Sequence, residues 1–451
     1  MRFSARRLIG RVARTAAFYR AMPVGPLRAF GGLQYYYARH DWPGVINLAR
    51  TDLNHTTKYR SSGLLAARAA FFKADDDVAE SVIKGLLNRF PAEPRIFDLR
   101  ADIRRFQGRP ADALADAEHA RFLIPSSRNA VAKVMRYSYL AHSRDVADRM
   151  NLEELHRYPR STKLYSAAAQ GCRDPRQYDQ LFQIWRAHDE PASIISKVDA
   201  LALAADRAGE IEAACQFYRD ATERALEAGV AAVEEPRSNT VVTVDVPSAV
   251  HDVLNTAGIP YVFMGDSALA LARFNGGRRV ESVSEIDVGV FEDDWDQASL
   301  QRVFSSDLRF ALRQEHPRAS VVGVVHRSNV NINIYRLYRD SGKLWRDYIS
   351  TRRWNTPFTI DLRSSDGHVF PLPSDLTTYV QEDYCDRAAP VADSSGRAPN
   401  TEVTWPDHER LDGLRRAYKR VRVRDLAGAA NELAIVKEDE LASVIEVRRG
   451  G

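Results

Sequence analysis

Proline recurs at Pro91, Pro125, Pro159 and Pro191, at intervals of 34, 34 and 32 residues, each time just past a helix-compatible stretch. That spacing is the length of one helical hairpin, and no other feature restricts the fold as tightly. A hairpin cannot cover its own outer apolar face, so successive hairpins must stack to bury it. Small residues keep the same phase: Ala79, Ala113 and Ala147 stand 34 residues apart, where closely crossing helices tolerate nothing larger than a methyl group. The clearest unit runs from Pro94 to Pro125, with Ala101 in the first helix, Gly108 at the turn, and Ala113, Leu114, Ala117, Ala120 and Leu123 along the second. Another spans Gly209 to Ala221, with Ala214 and Tyr218 in the same pattern. The pattern fades between Pro159 and Pro191, where Asp179 takes the small-residue position.

These units resemble the tetratricopeptide family over residues 32–228. The resemblance implies an α-solenoid whose concave surface holds a protein or peptide partner. Packing against the rest of the chain is the alternative role. Tyr35, Tyr36, Tyr37 and Trp42 are expected in the core of the array, as most clustered aromatics are.

With 451 residues the chain has room for two domains, each able to bury a core of its own. Cys172, Cys215 and Cys385 are far apart and show no ligand spacing, which argues against disulfides and structural zinc and for a reducing, cytoplasmic location. No apolar run reaches the ~18 residues of a membrane-spanning helix. The net charge of +4 speaks against a dedicated nucleic-acid binder. Its distribution is uneven: Arg2, Arg6, Arg7, Arg11, Arg14, Arg20, Arg28 and Arg39 precede the first acid, Asp41, with Phe3, Leu8, Ile9, Val12 and Phe18 among them. As a helix, this basic segment over residues 1–31 would suit peripheral contact with an anionic membrane face; a capping helix or a frayed tail is the plainer reading.

After a linker at 229–246, rich in Glu234, Glu235 and Pro236, the period changes. Helices are expected over Val250–Ala257 and Asp266–Phe274, and strands over Tyr261–Met264, Ile286–Phe291, Val321–His326 and Val330–Leu337, so residues 247–451 read as a mixed α/β domain closed by charged helices. Pro371, Pro373 and Ser374 read as a turn, and Ala388–Asn400 as a mobile loop. From His408 to Arg448 the charged pattern is helical, and its basic run (Arg415, Arg416, Lys419, Arg420, Arg422, Arg424) suits either an anionic acceptor or plain solvation.

One constellation carries chemistry. A strand leads into Gly265-Asp266-Ser267, a helix ends near Arg273, Gly276-Gly277 follows, and Glu285-Ile286-Asp287 opens the next strand. Alternate strand positions share a face, so Glu285 and Asp287 present both carboxylates to one site, a donor set that suits Mg²⁺ or Mn²⁺. The glycine turn and helix N-terminus offer N–H groups to phosphates.

The segments GIPYVFMGDSALALARFNGGRRVESVSEIDVGV, VNINIYRLYRDSGKLW and VFPLPSDLTTYVQEDYCD resemble, in order and spacing, the LicD/fukutin family of phosphotransferases, which has a nucleotidyltransferase-like fold. The resemblance spans about residues 247–388. It implies metal-dependent transfer of a phospho-alditol or phosphocholine group from a CDP-linked donor to a glycan or lipid-linked glycan precursor, as in cell-surface polysaccharide synthesis. By position, Glu285 and Asp287 would hold the metal, Gly265 and Ser267 the phosphates, Arg273 the pyrophosphate charge, and Asp287 would polarise the acceptor hydroxyl. The sequence departs from the family pattern in four places: Asp266 replaces a small residue, Val283 and Ser284 replace leading acids, and Asn333 stands where a third carboxylate is usual. Either Asp266 or Asp361 supplies that carboxylate, or the domain is a catalytically degenerate scaffold. A nucleotidyltransferase releasing pyrophosphate is a third alternative.

Overall fold

The computed structural model describes residues 32–38, 41–188, 193–228, 245–273, 285–313, 320–346, 352–354, 356–365, 368–379 and 406–450. The basic segment 1–31, Gly276-Gly277, Val283, Ser284, His316, the segment 388–400 and the Arg273 side chain lie outside them. By its contacts the chain divides into two compact units, Met1–Arg144 and Asp145–Gly451. The chain is helical in its N-terminal part, with a small mixed sheet in its C-terminal part.

In the first unit the helices are α1 (Leu33–Ala38), α2 (Trp42–Thr51), α3 (Leu53–Lys58), α4 (Arg60–Phe72), α5 (Asp76–Arg89), α6 (Pro94–Phe106), α7 (Pro110–Leu123) and α8 (Arg128–Ala141). Pro94 and Pro110 sit in the first turns of α6 and α7, where the missing N–H costs nothing. Asp75 caps α5 by accepting from the Val78 N–H. Gly108, at φ +69°, turns α6 into α7, a left-handed position that glycine occupies without strain. Consecutive helices pack as neighbours, α6 on α7 and α7 on α8. Ala79 and Ala113 are fully buried at the crossings, as their phase demanded. Trp42 packs edge-on against Tyr37 and Phe72, so this part of the aromatic group is internal packing.

The boundary between the units falls at the first residue of α9 (Arg144–Arg157), and the second unit continues with α10 (Thr162–Gly171), α11 (Pro175–His188), α12 (Ile194–Ala208) and α13 (Ile211–Glu227). Gly209, at φ +90°, makes the turn between α12 and α13. Then come α14 (Asp245–Thr256), β1 (Val262–Met264), α15 (Gly265–Arg273), β2 (Glu285–Phe291), α16 (Gln297–Ser306), β3 (Phe310–Leu312), β4 (Val321–His326), β5 (Asn331–Asp340), β6 (Lys343–Arg346) and β7 (Arg352–Trp354). The sheet runs β1-β2-β5-β4-β3, with β6 and β7 continuing beside β5. Among the described strands the central β2–β5 pair alone is parallel. Alternate residues of β2 and β5 (Ile286, Val288, Val290, Ile332, Ile334) point into one apolar core with Phe263, Phe304 and Phe310, which frees the opposite face for polar side chains.

A separate hairpin, β8 (Ile360–Ser365) and β9 (His368–Pro373), includes Pro371 and Pro373 as strand residues, with Ser374 just beyond. The expected turn is therefore a strand: in a two-stranded ribbon each strand has a free edge, where a residue lacking N–H is tolerated. The chain closes with α17 (Pro406–Arg422), α18 (Leu426–Ile435) and α19 (Asp439–Gly450). Helices α17 and α19 pack back onto α13, and α18 packs against both of them. Arg219 of α13 donates to Glu438 at 2.7 and 3.0 Å, and Arg410 of α17 reaches Glu438 at 2.6 Å and Glu212 at 2.7 Å. Part of the basic run is taken up in ion pairs: Arg416 and Arg420 pair with Glu432, Arg420 with Asp425, and Arg415 with Asp412.

Candidate functional site

The polar face of the sheet is assembled by register. Met264, Asp287, Asn333 and Gly323 lie opposite one another across β1, β2, β5 and β4. The row ends at Arg313, just past β3, whose N–H donates to the Gly323 carbonyl at 2.8 Å. Paired residues of neighbouring strands project from the same face, so this row gathers one acid, one amide and one guanidinium. Gly323 contributes no side chain, and across that gap the Arg313 Nη2 reaches the Asn333 Oδ1 at 2.6 Å. One row away, Glu285 lies opposite Asn331.

Glu285 and Asp287 converge, as the spacing required. The Asn333 Nδ2 donates to the Glu285 Oε2 at 3.1 Å and to the Asp287 Oδ1 at 2.9 Å. Asn333 itself is buried, at 7% exposure, which leaves the amide fixed between its three partners. The Tyr335 hydroxyl, two residues along β5, donates to the same Asp287 oxygen at 3.2 Å. Arg346 of β6 lies 4.4 Å from the Tyr335 ring centre, and its Nε is buried with no hydrogen-bond partner. Although Glu285 keeps exposed surface, desolvation of its carboxyl, followed by the charge of Asp287, raises its pKa above the ordinary value. The Asn333 hydrogen bond and the charges of Arg313 and Arg346 oppose that shift.

The glycine turn also falls where the sequence placed it. Gly265 begins α15 directly after β1 with φ +55°, a conformation that favours glycine. Its N–H donates to the Tyr379 hydroxyl at 2.7 Å. Ser267, buried at 4% exposure, accepts the Asp287 N–H at 3.0 Å and so ties the start of α15 to the acid strand. Asp266 is exposed in the first turn of α15, and Asp361 is exposed on β8 beside Arg363. Among the described residues no three His, Cys, Asp or Glu side chains assemble around one metal position, so neither Asp266 nor Asp361 completes the pair there.

The acid pair was legible from its period of two, whereas Arg313, Tyr335, Arg346 and Tyr379 were missed. Their roles depend on which strands pair and in what register, and no local pattern signals that. Tyr335 was the most accessible of them, two positions beyond Asn333 on the same strand face. In the first unit, a cleft of about 650 Å³ between α5 and α6 is lined by Asp77, Glu80, Lys84, Arg100, Arg104 and Arg109 among others. Arg100 and Arg104 are held there by the buried Asp116. No helix among the described residues is long and apolar enough to cross a membrane. No protein-family model matches the chain, and no curated protein matches its sequence.

Proposed function

We propose that this protein is a divalent-cation-dependent phosphotransferase of the LicD/fukutin type, with a nucleotidyltransferase-like sheet segment set among tetratricopeptide-like helical hairpins. The reading is supported above all by the Asn333 amide nitrogen lying within 3.1 Å of one carboxylate and 2.9 Å of the other, which brings both acids to one small group on the same face of the sheet. Next to that face, the first turn of α15 beyond Gly265, whose own N–H is held by Tyr379, offers helix N–H groups for a diphosphate.

Whether the residues fit a metal can be judged from their donor atoms. Glu285 and Asp287 offer hard anionic oxygens, and Asn333 offers a carbonyl oxygen if its amide turns, so the set suits Mg²⁺ or Mn²⁺ better than a soft ion. A bound cation would supply charge neutralisation at the diphosphate. In the transfer, the acceptor hydroxyl oxygen bonds to the β-phosphorus of the CDP-linked donor, the bridging P–O bond breaks, and CMP leaves. One oxygen of the carboxylate pair takes the hydroxyl proton. Asp287 orients the reacting groups under the Tyr335 hydroxyl, and Arg346, charged and unpaired at its Nε, faces the accumulating phosphate charge. The acceptor is a glycan or lipid-linked glycan hydroxyl at the cytoplasmic face, and the helical hairpins, with the cleft at α5 and α6, recruit a protein partner.

Isothermal calorimetry with CDP-ribitol or CDP-choline tests this reading, with Asp287→Asn as control. Heat that requires Mg²⁺ or Mn²⁺ and vanishes in the variant is expected, and CMP should appear once an acceptor is present. Pyrophosphate release from a nucleoside triphosphate would reassign the site to nucleotidyl transfer. A second reading, a degenerate scaffold, is favoured by Asn333 standing where a third carboxylate would complete the ligand set; absence of heat with every CDP-linked donor would select it.

A further inference from the structure

Asn333 holds the two halves of the site together in one defined orientation. Arg313 can only donate, so the Asn333 oxygen must face it; carboxylates can only accept, so the Asn333 NH₂ must face Glu285 and Asp287. The amide assignment follows from its partners and not from a choice between like-shaped atoms. In this arrangement the NH₂ group takes one oxygen of each carboxylate and presents hydrogens, not an oxygen ligand, to the space between them.

Resting on the phosphotransferase reading, we propose that Arg313 and Asn333 form a latch that couples cation binding to phosphate binding. For Asn333 to offer its oxygen to a cation, the amide must make a half-turn about its last side-chain bond. The NH₂ would then point at the Arg313 guanidinium, donor against donor, so the turn requires Arg313 to let go. A phosphate is the ligand that draws it away, because a guanidinium fork binds phosphate oxygens in pairs. Phosphate capture by Arg313 therefore releases the amide, the amide completes the cation site, and by linkage the cation favours phosphate to the same degree. The gap left by Gly323 makes this possible, since a side chain there would stand between Arg313 and Asn333.

The test is Mn²⁺ titration of the full chain by electron paramagnetic resonance, with and without inorganic pyrophosphate, in wild type, Arg313→Met, Arg346→Met and Asn333→Asp. Arg346 is the charge-matched control, because it also acts on Glu285 through its charge but does not touch the Asn333 amide. The latch predicts that Arg313→Met tightens Mn²⁺ binding without pyrophosphate roughly fivefold or more beyond Arg346→Met, within the usual range of coupling between sites. It also predicts that Arg313→Met loses most of the enhancement that pyrophosphate gives wild type. Asn333→Asp, which needs no turn to offer an oxygen, should bind Mn²⁺ tightly whether or not pyrophosphate is present. Equal tightening by the two arginine variants means that charge alone is at work and overturns the latch while leaving the cation site intact. Failure of wild type, Arg313→Met and Asn333→Asp alike to bind Mn²⁺ overturns the cation site itself, and the latch with it.

Discussion

At Glu285 the surroundings oppose the charge. Desolvation, then the neighbouring Asp287, hold its pKa above the ordinary carboxylate value, so the folded chain binds that proton more tightly than the unfolded one does. The sign follows from linkage: this residue's contribution to stability is fullest below the unfolded pKa and declines as pH rises through the folded one. Glu285→Gln removes the titration. The variant should melt at a higher temperature than wild type at neutral pH without added metal, lose part of the pH slope, and bind Mn²⁺ more weakly; parallel melting profiles across pH for the two proteins would contradict this. Raised stability on removing a site residue is the mark of a group kept for chemistry rather than for the fold. The same geometry predicts that Asp287→Asn weakens Mn²⁺ binding tenfold or more, about 1.4 kcal/mol. At this scale the sequence showed the acids themselves but not that Asn333, buried between them, would be their common partner.

Single elements show how much local pattern can and cannot reveal. The β2 strand was legible because its apolar residues alternate with Glu285, Asp287 and Gly289. Gly289 is small for a packing reason: a Cβ there would overlap Leu337 and the Met264 sulfur. Gly289→Ala should therefore cost about 1–3 kcal/mol in a chemical denaturation series, as overpacking of a dense core does. A change under half a kilocalorie would mean that β2 and β5 can separate freely. Gly209→Ala tests a different cause. At φ +90° between α12 and α13, an added Cβ should cost about 1–2 kcal/mol through backbone strain. The β8–β9 hairpin was not legible, since Pro371 and Pro373 carry turn signals wherever they stand and only the free edge of a two-stranded ribbon tolerates them.

In the second unit, the order of elements along the chain differs from their order in contact. Helix α17 follows the sheet segment in sequence yet packs on α13, which precedes it, so the strands enter as an insertion between two helices that touch. Sequence periodicity marked the N-terminal part as helical but could not show this return, because helices far apart in the chain share no common phase. Glu438 is the hinge of the contact, 11% exposed at its side chain and shared by Arg219 and Arg410. Glu438→Ala should cost about 1.5–3 kcal/mol, the range for charged hydrogen bonds left unmade, whereas the two-thirds-exposed Glu212 should cost far less. Equal losses for the two variants would show that the C-terminal helices are not held by this network. What the molecule does still turns on whether the sheet face grips a cation with its diphosphate. Electron paramagnetic resonance of Mn²⁺ in the presence of CDP-ribitol measures that directly: one bound ion per wild-type chain, lost in Asp287→Asn, is the predicted result, and an unchanged signal in the variant would contradict it.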